Sequence, residues 1–269
     1  MRSLGYILLV ALMFSCDKEE VFFRNILVYG HAGATLNNGE WIYPPNSMEA
    51  IIYGTQNLQA HGAEVDVQMT KDSVLVLYHD EFLSSQVDLD GCIAEYTWEE
   101  LKDQKIYNTK YSITRLKEPF EWVGEYHKKF ILDIKHHNAC TGEFRSTSAF
   151  NYGLSEALDN NNYYNSTVTL NCRNLPFLIE LTVDDTNVIK SWETDDLEAG
   201  IVAVQNGAVD ELTLRASNMT QADADNLHAL GIPFTIFGAR TQKELREAVA
   251  LNPTRIITDN IAYTNKITM

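Results

Sequence analysis

Five side chains of this 269-residue chain have the types and spacing to share one reaction site: His31, Glu64, Asp66, His79 and Asp133. Glu64 and Asp66 lie two apart in an apolar stretch, so in a strand they point to one side while Val65 and Val67 point to the other. Asp133 and Lys135 stand in the same relation around Ile134. His31 and His79 each end an apolar run, and Asp80 follows His79 directly. Charge at the end of a buried strand must be paired, coordinate a metal or emerge at a site. Three converging carboxylates repel one another without a cation, and an all-oxygen donor set selects a hard divalent ion, Mg²⁺ or Ca²⁺. Histidines beside such a centre exchange protons near neutral pH. Taken singly, each motif reads as the solvated face of an edge strand, a packed or surface histidine, or a surface ion pair. Four such strand ends in the first half of one chain argue for a site instead.

The elements that must position these groups follow from periodicity and turn chemistry. Strands are expected at residues 26–29, 63–67, 130–134, 167–171, 177–183, 211–214, 233–237 and 255–258. Helices are expected at 47–60, with Ser47 as N-cap, from Trp98 with a Thr97/Glu100 capping box, in the region 146–162 before a loop, and at 220–230 and 242–251. The turn residues at 70–73 bring 74–78 back as an antiparallel hairpin strand. Leaving the hairpin aside, eight strands alternating with helices fit an α/β fold, a (β/α)8 TIM barrel with a β-hairpin excursion after the second strand. One spacing is awkward: only residues 172–176 separate two proposed parallel strands, and a crossover normally needs a dozen or more.

The N-terminus is a different segment. Arg2 precedes an apolar run at 6–14 that ends in Ser15 and Cys16, the anatomy of an export signal too short to span a bilayer. Cys16 resembles the lipid-attachment cysteine of bacterial lipoproteins. The expected organisation is a signal segment at 1–16, a short polar tether at 17–24 and one barrel domain at 25–269. The expected location is exported, membrane-anchored through lipid, periplasmic or cell-surface. The net charge of −16 argues against nucleic acid as partner and against a broad basic membrane face. Cys92, Cys140 and Cys172 show no Cys-x-x-Cys spacing, so buried thiols are expected rather than a disulfide framework or a zinc site.

These stretches together resemble the glycerophosphodiester phosphodiesterases. His31-Ala32-Gly33 stands where the family has His-Arg-Gly, and Pro44-Pro45-Asn46-Ser47 where it has Pro-Glu-Asn-Thr. Glu64-Val-Asp66-Val-Gln-Met-Thr70-Lys-Asp-Ser73 matches Glu-x-Asp-Val-x-x-Thr-Lys-Asp-Gly, followed by His79-Asp80 and by Asp133-Ile-Lys135 for Glu-Ile-Lys. The stretches 231–237 and 256–259 are similar to the family's late strands. The resemblance implies a divalent cation on Glu64, Asp66 and Asp133, acid and base at His31 and His79, Lys135 on phosphate, and Asn46 and Asp80 supporting from behind. The implied substrate is a small phosphodiester or lysophospholipid, and the products are sn-glycerol 3-phosphate and an alcohol.

The departures are as informative. Ala32 lacks the bidentate fork of the family's arginine, Pro45 replaces a glutamate, and Asp133 is one methylene short. Arg173, Arg215 and Arg240 all lie just beyond expected strand ends and are candidates to supply a substitute cation at the substrate. Asp-x-Lys and the missing arginine also resemble the sphingomyelinase D-like phospholipases, which form a cyclic phosphate. A third reading is a catalytically weakened surface lipoprotein that binds a phosphate ester. His136 and His137 are taken as loop residues, and Trp41, Tyr43, Trp122 and Trp192 as packing.

Overall fold

The structure, a computed structural model, describes residues 25–34, 41–123, 128–158, 168–183 and 188–269. The signal segment, Cys16 and the tether lie outside the described residues. The strands, in chain order, are β1 (Leu27–Gly30), β2 (Gly62–Met69), β3 (Leu75–Leu77), β4 (Thr114–Arg115), β5 (Lys129–Ile134), β6 (His137–Asn138), β7 (Glu143–Phe144), β8 (Val168–Cys172), β9 (Val188–Glu193), β10 (Glu211–Arg215), β11 (Phe234–Phe237) and β12 (Arg255–Thr258). β1 pairs in parallel with both β12 and β2, which closes the ring β1-β2-β5-β8-β9-β10-β11-β12. β3 and β4 extend β2 antiparallel, the expected excursion, and β6–β7 form a small separate hairpin after β5.

Period-2 alternation builds the barrel. Val65, Val67, Phe130, Leu132 and Leu170 face outward into a buried layer against the helices, as Leu212, Phe234, Ile236 and Ile256 do on the opposite side. Tyr29, Ile131 and Ile257 fill the interior above a buried Glu211–Arg255 ion pair at the start of β10 and β12. With its lower interior filled by side chains, the barrel offers its C-terminal rim for a site. The helices are α1 (Met48–Ile52), α2 (Trp98–Leu101), α3 (Lys117–Val123), α4 (Thr147–Leu158), α5 (Leu175–Glu180), α6 (Leu197–Gln205), α7 (Gln221–Leu230), α8 (Gln242–Ala250) and α9 (Ile261–Thr268). Reciprocal Thr–acid capping boxes open α2, α7 and α8.

Three expectations need correction. Residues 177–183 are not a strand: Asn174 caps the backbone N–H of Phe177, Pro176 sits in the first turn, and residues 177–180 belong to α5 while 181–183 carry no regular element. The fifth barrel strand is β9, which restores room for a crossover after β8. The helix expected at 47–60 is α-helical only through Ile52 and continues as a π-turn over Tyr53–Asn57. Cys92 and Cys140 form a disulfide 48 residues apart in sequence, and only Cys172 among the described cysteines stays a buried thiol. Closing a loop of that length stabilises the fold by about 4 kcal/mol in the chain-entropy model. The double variant Cys92→Ser/Cys140→Ser should therefore lose about 2–4 kcal/mol in denaturant unfolding; a loss under 1 kcal/mol would mean the bridge constrains little.

Candidate active site

Glu64 and Asp66 rise from β2 and Asp133 from β5, where Asp66 and Asp133 are register partners. One oxygen of each lies within 4.8 Å of the others. Burial and the neighbouring Asp66 charge push Glu64 up to about 8, and burial raises Asp133 too, against the pull of Lys135. Burial works against the charge of Lys135, but Asp133 and Asp66 more than reverse it and hold its ammonium firmly charged. Lys135 bonds Asp133 and stands 3.2 Å from Asp66.

The loop after β1 orients this cluster. Ala32 adopts φ 48° and Gly33 φ 87°, so the chain turns sharply and both N–H groups point at Glu64. Ala32 donates to the Glu64 carboxylate at 3.1 Å, and Gly33 to its carbonyl at 3.0 Å. A Cβ on Gly33 would come within 2.9 Å of the Ile51 nitrogen, which demands glycine there. Asn46 clamps Asp66 from both ends: its amide donates to Oδ2 and its Oδ1 accepts the Asp66 backbone N–H, each at 2.9 Å.

The two histidines have matched settings. His31 Nδ1 bonds Asp259 at 2.6 Å. Burial opposes its charge, but the Asp259 bond and the charges of Glu64, Asp259 and Asp66 raise its pKa to about 9. His79 Nδ1 bonds Asp80 at 2.8 Å, and Ser85 and Gln86 hold that carboxylate in turn. With Nδ1 committed in both rings, proton exchange falls to Nε2.

A cavity of about 320 Å³ gathers these groups with Arg173, Arg215 and Arg240. Arg173 is paired with Asp195 at 2.7 Å and Glu193 at 3.5 Å. Arg215 has no ion-pair partner among the described residues; it lies 4.7 Å over the ring of Phe237. Asn46 and Asp80 do not line the cavity but brace Asp66 and His79. His136 turns away from the carboxylates and stacks on Phe177 at 4.2 Å. Sequence reasoning missed Asp259, Asn171 and Glu193. The available signal for Asp259 was its place at the end of the last strand. Asn171 donates weakly toward Asp133 and Glu193, and its buried Oδ1 has no partner among the described residues.

The molecule is thus a (β/α)8-barrel protein whose rim holds a buried carboxylate cluster flanked by two carboxylate-paired histidines. Its residues 39–263 match the family model of the glycerophosphoryl diester phosphodiesterases. The chain belongs to that family. A glycerophosphodiester phosphodiesterase of Bacillus altitudinis is 32% identical over 118 residues, 42% of this chain and 45% of that protein. One from Caldanaerobacter subterraneus is 35% identical over 115 residues, 40% and 44% of the two chains. The matched region spans under half of these curated relatives. Among solved structures, an Oleispira antarctica phosphodiesterase in complex with the product sn-glycerol-3-phosphate superposes with TM-score 0.76 at 17% identity, covering 90% of this chain and 96% of that one. A Thermotoga maritima glycerophosphodiester phosphodiesterase superposes with TM-score 0.68 at 21% identity, covering 90% and 98%. At these identities the superpositions establish the shared fold.

Proposed function

We propose that the protein hydrolyses a glycerophosphodiester to sn-glycerol 3-phosphate and an alcohol, with a divalent cation on Glu64, Asp66 and Asp133. One observation carries the reading: the carboxylate cluster, both paired histidines and the rim arginines open onto a single cavity. Lys135 balances only one of the three charges, so buried carboxylates this close are stable together as anions only with a further cation, and an all-oxygen set suits Mg²⁺ or Ca²⁺. When bound, that ion supplies charge neutralisation at the non-bridging phosphate oxygens. Lys135, held between Asp133 and Asp66, adds a second positive charge on the same side. His31 and His79 exchange protons at Nε2: one takes the proton of the attacking glycerol hydroxyl, the other protonates the leaving alcohol, and water then opens the transient cyclic phosphate to sn-glycerol 3-phosphate. The Oleispira product complex supports glycerol phosphate as the retained half.

Arg215 takes the place left by Ala32, because it lines the cavity beside Phe237 and, among the described residues, has no ion-pair partner to hold it back. Arg215→Ala should lower kcat/KM about 10- to 150-fold, the worth of a charged hydrogen bond. Arg173→Ala should cost less, since Asp195 and Glu193 already engage that side chain. Equal effects in steady-state kinetics would remove Arg215 from this position.

We also propose export and lipid anchoring at Cys16. The Cys92–Cys140 disulfide supports export, because such bonds persist in oxidising compartments. The test of the activity is phosphorus NMR with glycerophosphocholine in Mg²⁺, Ca²⁺ or EDTA. A phosphomonoester signal that appears only with metal is expected. A cyclic phosphate that accumulates, or no turnover in any metal, would overturn the reading.

A further inference from the structure

A second cavity, about 600 Å³ and in the size range of ligand pockets, opens from the first along His79, Asp133, Lys135 and Arg173. Its character is different. The first cavity is bordered by His31, Thr213, Arg215 and Asp259, partners for hydroxyls and phosphate. The second runs over Ile134, Phe144, Leu175, Pro176 and Trp192. A phosphodiester has two ester arms, and a polar cavity meets a more apolar one, itself edged by Gln68, Glu81 and Asn174, where its phosphate would lie.

We propose that this second cavity receives an apolar chain on the leaving alcohol, so that the preferred substrates are glycerophosphodiesters of long-chain alcohols. This inference rests on the proposed hydrolase activity and names its substrate class. Hydroxyl-rich glycerol fits the polar cavity, which leaves the apolar one to the other arm. The wall is preformed. The β6–β7 hairpin carrying Phe144 is tied by Cys140 to Cys92, and Arg145 secures it through Thr70 at 2.7 Å and His136 at 2.8 Å. His136 sits stacked between Phe144 and Phe177, and the Trp192 indole donates to the Arg173 carbonyl at 3.1 Å. Phe144 itself remains 64% exposed, an aromatic ring held open at the lip by a stapled hairpin.

The experiment compares the octyl and ethyl esters of sn-glycerol 3-phosphate as substrates of the intact protein, with Phe144→Ala alongside. Each buried methylene is worth about fourfold, so the octyl ester should show at least a tenfold lower KM than the ethyl ester. Phe144→Ala should raise KM for the octyl ester several-fold and leave the ethyl ester unchanged. Lysophosphatidylcholine, with its chain on the glycerol arm, should show no comparable advantage. Turnover of both esters with equal KM would overturn the groove assignment alone. A chain preference that survives Phe144→Ala unchanged would place the chain elsewhere and do the same. Absence of hydrolysis of either ester would overturn the hydrolase reading and this inference together.

Discussion

Glu64→Gln should reduce turnover on the order of 10³-fold or more, because it removes one of the three proposed ligands and with it several kcal/mol of charge stabilisation at phosphate. The same substitution should leave the metal-free fold as stable as the parent, or more so. Glu64 is buried beside Asp66 and Asp133, and its pKa is raised to about 8 by that burial and by Asp66. A carboxyl raised in the folded state binds a proton there that it has lost in the unfolded chain. The contribution of Glu64 to metal-free stability should therefore fall as pH rises from about 4.5 through about 8 and level off above. Gln mimics the protonated acid and should flatten that dependence.

Cation binding reverses the relation. A ligand at a hundred times its dissociation constant stabilises the folded state by about 2.7 kcal/mol. The parent protein should show a metal-dependent rise in melting temperature that grows from pH 5 to pH 8, as the proton competes less. Glu64→Gln should lose most of that rise. Thermal unfolding in EDTA and in Mg²⁺ or Ca²⁺, read beside activity, separates a ligand from a merely structural residue. If the variant melts lower than the parent in EDTA and keeps the metal-dependent rise, Glu64 is not a ligand.

The convergence of His31, Glu64, Asp66 and Asp133 on one rim was legible in the chain because each interrupts a run that is otherwise apolar. In a strand buried on both faces, charge at every second position has only the barrel interior to point to. β9 was hidden by the opposite situation. Its inward positions are Ser191 and Glu193 and much of its surface is half-buried, so no apolar run marks it. Residues 177–179 are apolar in succession yet helical, since the cap at Asn174 and Pro176 decide the local conformation before hydrophobicity does. The disulfide leaves no local trace either. Two cysteines 48 residues apart become neighbours only once the β6–β7 hairpin folds back beside the loop after β3. Asp259 looks like part of a turn in Thr-Asp-Asn; its chemistry exists only because barrel closure sets β12 against β1.

That closure makes Asp259 the second large effect. Burial alone would lower the pKa of His31, and the Asp259 bond together with Glu64, Asp259 and Asp66 charge instead raises it to about 9. A cation on the carboxylate cluster cancels much of the field from Glu64 and Asp66. Asp259 is not part of that cluster and meets the ring 2.6 Å from Nδ1. It is therefore the group that holds the His31 tautomer and its basicity in the working protein. Asp259→Asn preserves size and removes the charge, and its amide can donate to Nδ1 and select the wrong tautomer. The expected loss in kcat is about 10²- to 10⁴-fold with little change in KM, the range for disabling a positioned acid–base group. In the metal-free parent, the stabilisation from charged His31 is fully present below pH 6.5 and is lost as pH rises through about 9. In Asp259→Asn that loss should shift to lower pH, visible as a downfield-to-upfield histidine titration by NMR that moves toward 6.5. Asp259→Glu should recover part of the rate. Unchanged kcat together with an unmoved titration would show that His31 takes its orientation and charge from elsewhere on the rim.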